Sequence, residues 1–403
     1  MDLSYGSEAE GFREEVARFL AESWPLQGAE AELPRGEQEA LFRARAIEAG
    51  YLYRSIPRRY GGSEQAPDVL KAQVIREEFR KKRAPREALG IGTIMLVPTL
   101  LERGAEWQKE RFVRPTLMGE IQWCQGYSEP GSGSDLASLK TRGERVGDEW
   151  VINGQKIWTS DAHLADYMFA LIRTEPDASK HAGISYLLID MKQPGIEVRP
   201  LRQMTGGVDF NEVFFDDART PKDWIVGERG EGWNVSRTTL KHERNTIGSA
   251  QQTRMQFQGL VFLAKSTRRG GRPAIEDDEI RQRLLTLEGY VKAHQYSGYR
   301  QLTKDARGED AGPVGKMMKL LSTNIGQEVA KLAMDLIGDE GLLSGGGAGM
   351  GKMPPGNQMW VGQYMYSLGI AIAGGTANIQ RNVIAERGLG LPRDAEADRS
   401  AGR

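Results

Sequence analysis

The period of the hydrophobic pattern changes twice along this chain of 403 residues, and that change constrains the fold more than any other feature. Up to about residue 120 apolar side chains recur at helical intervals. Phe12, Val16, Phe19 and Leu20 form one stripe, closed by Pro25, and Val69, Ala72, Val74, Ile75 and Phe79 form another. Residues three and four apart share one face of a helix, so both stripes predict amphipathic helices. Ser7 and Glu10 have capping-box spacing at the first. Leu41 to Ala49 predicts another helix, ended by Gly50 as a left-handed cap. From Ile121 to about Val226 the period falls towards two and turn residues recur. Residues 150–158 predict two short strands around an Asn153-Gly154 hairpin turn, with further strands at 168–172, 184–189 and 212–215. From Gly232 the pattern is helical again, over 233–265, 276–303 and 313–338. A glycine-rich connection follows at 344–351, a last helix starts near Thr376, and a polar tail closes the chain. The expected fold is mainly α with a central β domain: a helical domain over 1–120, a β domain over 121–228, a helical bundle over 229–395 and a tail over 396–403.

Composition excludes several classes of function. The 54 basic and 55 acidic residues leave a net charge of −1, too little to build the positive field that nucleic acid or an anionic membrane requires. The longest apolar stretch, 91–101, is broken by Gly92, Thr93, Pro98 and Thr99 and is much shorter than a membrane span. Cys124 is the only cysteine, so no disulfide forms within the chain, and a reducing, cytoplasmic compartment is expected. Residues 1–7 are neither basic nor apolar and do not read as a targeting segment. His163, His181, His242 and His294 lack ligand spacing, so no metal site is expected.

Three motifs carry chemistry. Tyr127-Ser-Glu-Pro-Gly-Ser-Gly-Ser-Asp135 is rich in small residues, which let the backbone approach a ligand closely with NH and OH groups free to meet oxyanions. Asn153-Gly-Gln-Lys-Ile-Trp-Thr-Ser160 follows it. Gly374-Gly-Thr-Ala-Asn-Ile-Gln-Arg381 opens the last helix, whose first NH groups suit a polar ligand. Taken singly they read as a Gly/Ser loop, a strand with a core tryptophan and a plain threonine N-cap. Together, in this order, they resemble the acyl-CoA dehydrogenase family over about residues 5–393. The resemblance implies a helical domain, a middle β-barrel or sandwich domain and a C-terminal four-helix bundle. It implies FAD as cofactor and an acyl-CoA thioester as substrate, with a base taking the α-proton and flavin N5 the β-hydride. Electrons then pass to an electron-transferring flavoprotein. It places Tyr127, Ser128, Gly133, Ser134, Trp158, Thr159, Ser160, Thr376 and Asn378 on the cofactor, with Ser134 also towards the substrate.

The catalytic base is the point of departure. Many members carry a glutamate two residues before the threonine of the last motif, where this chain has Gly374. A second solution, that of isovaleryl-CoA dehydrogenase, places the glutamate on the first long helix of the C-terminal domain. Counting from Gly232, that position is Glu243. The resemblance makes Glu243 the base, sets Arg244 near the floor of the site and lets the Gly374 backbone NH polarise the thioester carbonyl. Read alone, Glu243-Arg244 is an ordinary charged helix face. His242 is an alternative base on pKa grounds, but neighbouring helical residues point about 100° apart. The family's contact to the FAD of a neighbouring subunit maps to 334–341, where Asp335 and Asp339 depart from its pattern. Arg268, Arg269 and Arg272 all compete for its pyrophosphate arginine. A homodimer or homotetramer and a heteromeric assembly, such as a steroid side-chain dehydrogenase, both stay open, as does a related flavin oxidase or monooxygenase.

Overall fold

A computed structural model of the chain describes residues 5–88, 90–246, 248–310, 312–342 and 356–392, with the side chains of 243–246 and 306 left out. The first helices are α1 (Ser7–Ser23), α2 (Arg35–Glu48), α3 (Val69–Lys81), α4 (Val97–Arg103) and α5 (Glu106–Met118). The apolar stripes read from the sequence are buried as expected: Val16 and Leu20 on α1 and Val74, Ile75 and Phe79 on α3 belong to one core. The capping box does not form. Gly6 is the N-cap of α1 and Ser7 its first helical residue, and the Glu10 carboxylate instead accepts from Arg13 Nε at 3.0 Å. Helix α2 starts six residues earlier than its apolar stripe, at Arg35, because a helix can run past the face it buries.

The middle segment forms a seven-stranded curled sheet. Its strands are β1 (Trp123–Gly126), β2 (Arg142–Val146), β3 (Glu149–Ser160), β4 (Tyr167–Arg173), β5 (Ile184–Asp190), β6 (Ile196–Leu201) and β7 (Phe210–Pro221). They run in the order β1-β4-β2-β3-β7-β6, with β5 on β4. The Asn153-Gly154 hairpin is not there. Strand β3 passes straight through that dipeptide, and its pairing with β7 slips between Ile152 and Gly154, as at a β-bulge. Asn153 spans the bulge: its Nδ2 donates to Asp217 Oδ1 at 2.8 Å and its Oδ1 accepts from Asp217 N at 2.9 Å. The hairpin turn lies earlier, at Gly147-Asp148 between β2 and β3, with Gly147 at φ +62°.

The C-terminal helices are α6 (Gly232–Thr246), α7 (Ala250–Ser266), α8 (Asp278–Ala306), α9 (Pro313–Ile337), α10 (Gln358–Ile370) and α11 (Ala377–Val383). Between α7 and α8 lies a small ribbon of β8 (Arg268–Arg269) and β9 (Arg272–Pro273). The single helix expected over 233–265 is two helices. Gly248, at φ +126°, turns the chain, and Ser249 caps α7 through Gln252 N. No stripe in the sequence predicts helix α10. Its residues are apolar on all sides, so no stripe marks them; it packs on α9. Helices α7, α8, α9 and α10 surround a second core built on residues such as Leu260, Ile280, Val329 and Trp360. The expected glycine-rich connection at 344–351 and the tail from 393 lie outside the described residues. Among the described residues no helix is long and apolar enough to cross a membrane, and no group of His, Cys, Asp and Glu could hold a metal ion.

Candidate active site

The first two motifs meet in space through a buried ion pair. Lys156 is fully buried on β3, and its Nζ donates to Glu129 Oε1 at 2.8 Å, to the Leu171 carbonyl at 2.7 Å and to the Tyr127 carbonyl at 3.3 Å. Glu129 in turn accepts from the backbone NH of Lys140 at 2.6 Å and of Thr141 at 2.9 Å. Ile157 N donates to the Ser128 carbonyl at 2.9 Å. The 127–135 loop is thereby fastened along β3, one residue from Trp158. Burial pushes the Lys156 ammonium down to about 8, against the attraction of Glu129. Burial also works to raise Glu129, but Lys156 and the two backbone donors outweigh it and hold the carboxylate below its usual range. Neither residue was singled out in the sequence. The signal was there: Lys156 has the same parity as Trp150 and Ile152, which face the core.

The loop turns back on itself, with Glu129 and Ser132 exchanging backbone hydrogen bonds of 2.9 Å each way. Gly131, Gly133 and Ser134 are exposed, and a Cβ added at either glycine would meet nothing within 4 Å. Open space beside small residues suits a ligand that needs close approach to the backbone. Tyr127 is buried, with its ring edge-on to Phe169 and Tyr186. Trp158 is 59% exposed and held at φ +59°, a conformation that a bulky residue seldom adopts and that is concentrated at functional sites. Its ring stands at 83° to that of Phe210, with centroids 6.1 Å apart. Ser160 is half-buried, while Thr159 is fully buried and its carbonyl accepts from the buried Asn211 at 2.9 Å. The open glycine loop and the exposed, strained tryptophan beside it fit a planar, phosphate-bearing cofactor such as FAD.

The third motif forms a second cluster, in the bundle. Thr376 caps α11, its hydroxyl accepting from Ile379 N at 3.3 Å, and exposed Asn378 accepts from Arg381 Nη1 at 3.0 Å. Gly374 and Gly375 form the preceding turn at φ +62° and +92°. The Gly375 carbonyl accepts from Lys319 Nζ at 2.7 Å, and that of Gly374 from Gln380 Nε2 at 3.1 Å. Lys319, on α9, also meets the elbow that ends α6: a Cβ added at Gly248 would lie 3.1 Å from its backbone nitrogen. At the other end of α6, a Cβ on Gly232 would strike the Ser185 and Tyr186 backbone, so α6 starts flush on β5. The backbone of Glu243 and Arg244 lies on α6, and their side chains lie outside the described residues. His242, beside them, pairs with Glu102 at 3.2 Å. Arg268, Arg269 and Arg272 are all exposed on the β8–β9 ribbon, and Arg269 lies 3.7 Å from Asp277. Asp335 is paired with Arg283 at 2.7 Å.

A helical domain, a curled β domain and a helical bundle, with a glycine loop beside an exposed tryptophan, define a class of flavin-dependent dehydrogenases. Comparison with known proteins agrees. The models of the acyl-CoA dehydrogenase N-terminal, middle and C-terminal domains match residues 6–120, 124–218 and 230–389. The chain is 39% identical over 403 residues to acyl-CoA dehydrogenase IpdE1 of Mycobacterium tuberculosis, covering 96% of this chain and 99% of that one. It is 36% identical to acyl-CoA dehydrogenase FadE34 of the same organism, covering 96% of this chain and 50% of that one. The solved ChsE4–ChsE5 complex of Mycobacterium tuberculosis superposes with a TM-score of 0.76 at 26% identity, covering 98% of this chain and 100% of that one. The Tcur3481–Tcur3483 steroid ACAD gives the same TM-score of 0.76, identity of 26% and coverage of 98% and 100%. The chain belongs to the acyl-CoA dehydrogenase family. It is an FAD-dependent oxidoreductase, and its substrates are acyl-CoA thioesters.

Proposed function

We propose that the enzyme converts an acyl-CoA to its 2,3-enoyl-CoA, with Glu243 as the base that takes the α-proton. One observation carries this reading. The elbow that ends α6, the helix of Glu243, packs on the Lys319 backbone, and the Gly374-Gly375 turn is held by the same residue's ammonium, which supports a carboxylate from α6 serving a carbonyl bound at that turn. Gly374 itself has no side chain to act as base. FAD, when bound, supplies the two-electron oxidation by accepting the β-hydride. Tyr127, Ser128, Gly133, Ser134, Trp158, Thr159 and Ser160 would hold it from the β domain, and Thr376 and Asn378 from the bundle. The Gly374 backbone polarises the thioester carbonyl and lowers the pKa of the α-carbon, while Arg244 and Ser134 position the substrate. The carboxylate of Glu243 then removes the α-proton. An electron-transferring flavoprotein accepts the electrons, the compartment is the cytoplasm, and the domains divide at 1–120, 121–228 and 229–395.

A glycine at 374 leaves room beside the reacting carbons, which favours branched, cyclic or steroid-like acyl groups in lipid β-oxidation. Anaerobic flavin bleaching with a panel of acyl-CoAs tests both statements. Glu243→Gln is expected to keep FAD and to slow bleaching about 10²–10⁴-fold. Normal bleaching by the variant removes Glu243 from the role. A preference for straight chains over branched ones of equal carbon count removes the pocket argument.

A second reading, a subunit of a heteromeric enzyme, is favoured by two observations. The chain is similar to a chain of the ChsE4–ChsE5 complex. Asp335, at the expected cross-subunit contact, is engaged by Arg283 of its own chain. In that case the chain purified alone is colourless or FAD-poor and gains flavin only when co-expressed with a partner. An FAD-replete, active homo-oligomer excludes it.

A further inference from the structure

We infer that Lys319 is a positioning residue for the reaction, its ammonium holding the Gly374-Gly375 turn so that the turn's NH groups face the thioester carbonyl. This rests on the dehydrogenase reading above and adds to it a residue that no motif contains. Lys319 is 3% exposed in the second turn of α9. A lysine is seldom buried unless its charge is compensated. Its Nζ donates to the Gly375 carbonyl at 2.7 Å and lies 3.5 Å from that of Ala371. Gln380, 4% exposed, holds the Gly374 carbonyl from the same side at 3.1 Å. Three carbonyls of one short turn are thus drawn towards two buried donors.

The consequence follows from peptide geometry. In a trans peptide the NH points opposite to the C=O. With the carbonyls of Gly374 and Gly375 held inwards, the NH groups of Gly375 and Thr376 leave on the other side. Glycine suits this turn. Both residues have positive φ, and a Cβ on Gly375 would meet Gln380 Nε2 at 2.7 Å. The ammonium behind the turn adds its field to the NH dipoles in front of it. Negative charge that develops on a thioester oxygen facing the turn is stabilised by both, and fixed dipoles need no reorganisation as it forms. A plainer role is to cap α10, since Ala371 is its C-cap and cations favour helix C-termini. That role affects stability and leaves the chemistry unchanged.

The test uses the FAD-loaded full-length enzyme, with its partner subunit if it has one, as Lys319→Met, Lys319→Arg and Gln380→Met. Alongside KM, kcat and FAD content, the readout is exchange of the α-hydrogens of a 3-thiaacyl-CoA with deuterium from D2O. That exchange reports enolisation without flavin reduction. Lys319→Met is expected to keep its FAD and a KM within about threefold of wild type, while kcat and exchange fall together by about 10²–10³-fold. Lys319→Arg, which keeps the charge, is expected to recover about tenfold or more of that loss. Wild-type kcat and exchange in Lys319→Met, with only a lower melting temperature, overturn the proposal. If that variant does not fold, Gln380→Met decides: a parallel fall of kcat and exchange supports the role, and unchanged exchange overturns it. A wild-type enzyme that neither exchanges nor bleaches sinks the underlying dehydrogenase reading, a result distinct from any failure at Lys319.

Discussion

At the scale of the residue, Glu129 and Lys156 show how a motif becomes a site. Each sits in a separate stretch of sequence, and neither is chemically distinctive there. Once buried together they fasten the glycine loop to the strand that presents Trp158. Removing one partner leaves an uncompensated charge, so Glu129→Gln is expected to cost about 3–5 kcal/mol of stability at pH 7 in chemical denaturation. The pH dependence has a definite sign. The folded-state pKa of Glu129 lies below its ordinary value of 4.5, so its contribution is present above pH 4.5 and is lost as pH falls through the lowered value. The stability gap between wild type and Glu129→Gln should therefore close on acidification below pH 4.5. A gap that persists unchanged in acid would show that the pair is not the source. Glu243 is the opposite case. Its candidacy was legible from the sequence through an absence at Gly374, whereas no pattern of residues announces where its helix ends.

At the scale of the element, distant segments override local preference. Asn153-Gly154 has the chemistry of a two-residue turn, and local preference alone makes it one. In the sheet its positive-φ glycine serves a bulge, because β7 offers Asp217 as a partner across it and β2 lies close behind. A Cβ on Gly154 would lie 2.7 Å from the Thr141 backbone, and the glycine is at φ +145°. Gly154→Ala is expected to cost about 1–3 kcal/mol and to loosen the Trp158 end of β3. Thermal unfolding of the variant and its flavin retention would check this, and an unchanged melting temperature would contradict it. The break between α6 and α7 belongs here too. Apolar periodicity runs across 247–249, so only the backbone turn at Gly248, pressed on α9, separates the two helices. Helix α10 is hidden for the reverse reason: apolar residues lie all round it, and no polar face sets a period.

At the scale of the whole molecule, three hydroxyls hold the three layers in register. Thr99 on α4 and Thr239 on α6 are hydrogen-bonded at 2.9 Å, and Thr239 reaches Tyr186 on β5 at 3.4 Å. Burial pushes the Tyr186 phenol well above its usual value, so it stays neutral. Thr239→Val keeps the shape and deletes the donor. It is expected to cost about 0.5–1.5 kcal/mol by removing the hydroxyl's bonds to Thr99 and Tyr186, and to lower the midpoint of denaturation without changing its slope. A slope that falls with the midpoint would mean instead that the domains come apart separately. The sequence by itself determined the order of helical, β and helical regions, because a 3.6-residue and a two-residue period bury incompatible faces. It also determined the family, through small residues and a tryptophan at fixed spacing, and the vacancy at Gly374. The tertiary structure alone decided that a buried lysine and glutamate join two motifs, that an Asn-Gly pair makes a bulge, and that Lys319 lies under both the α6 elbow and the glycine turn. Those facts depend on which distant segments become neighbours, and a lysine carries no mark in its own sequence of the carbonyls it will meet.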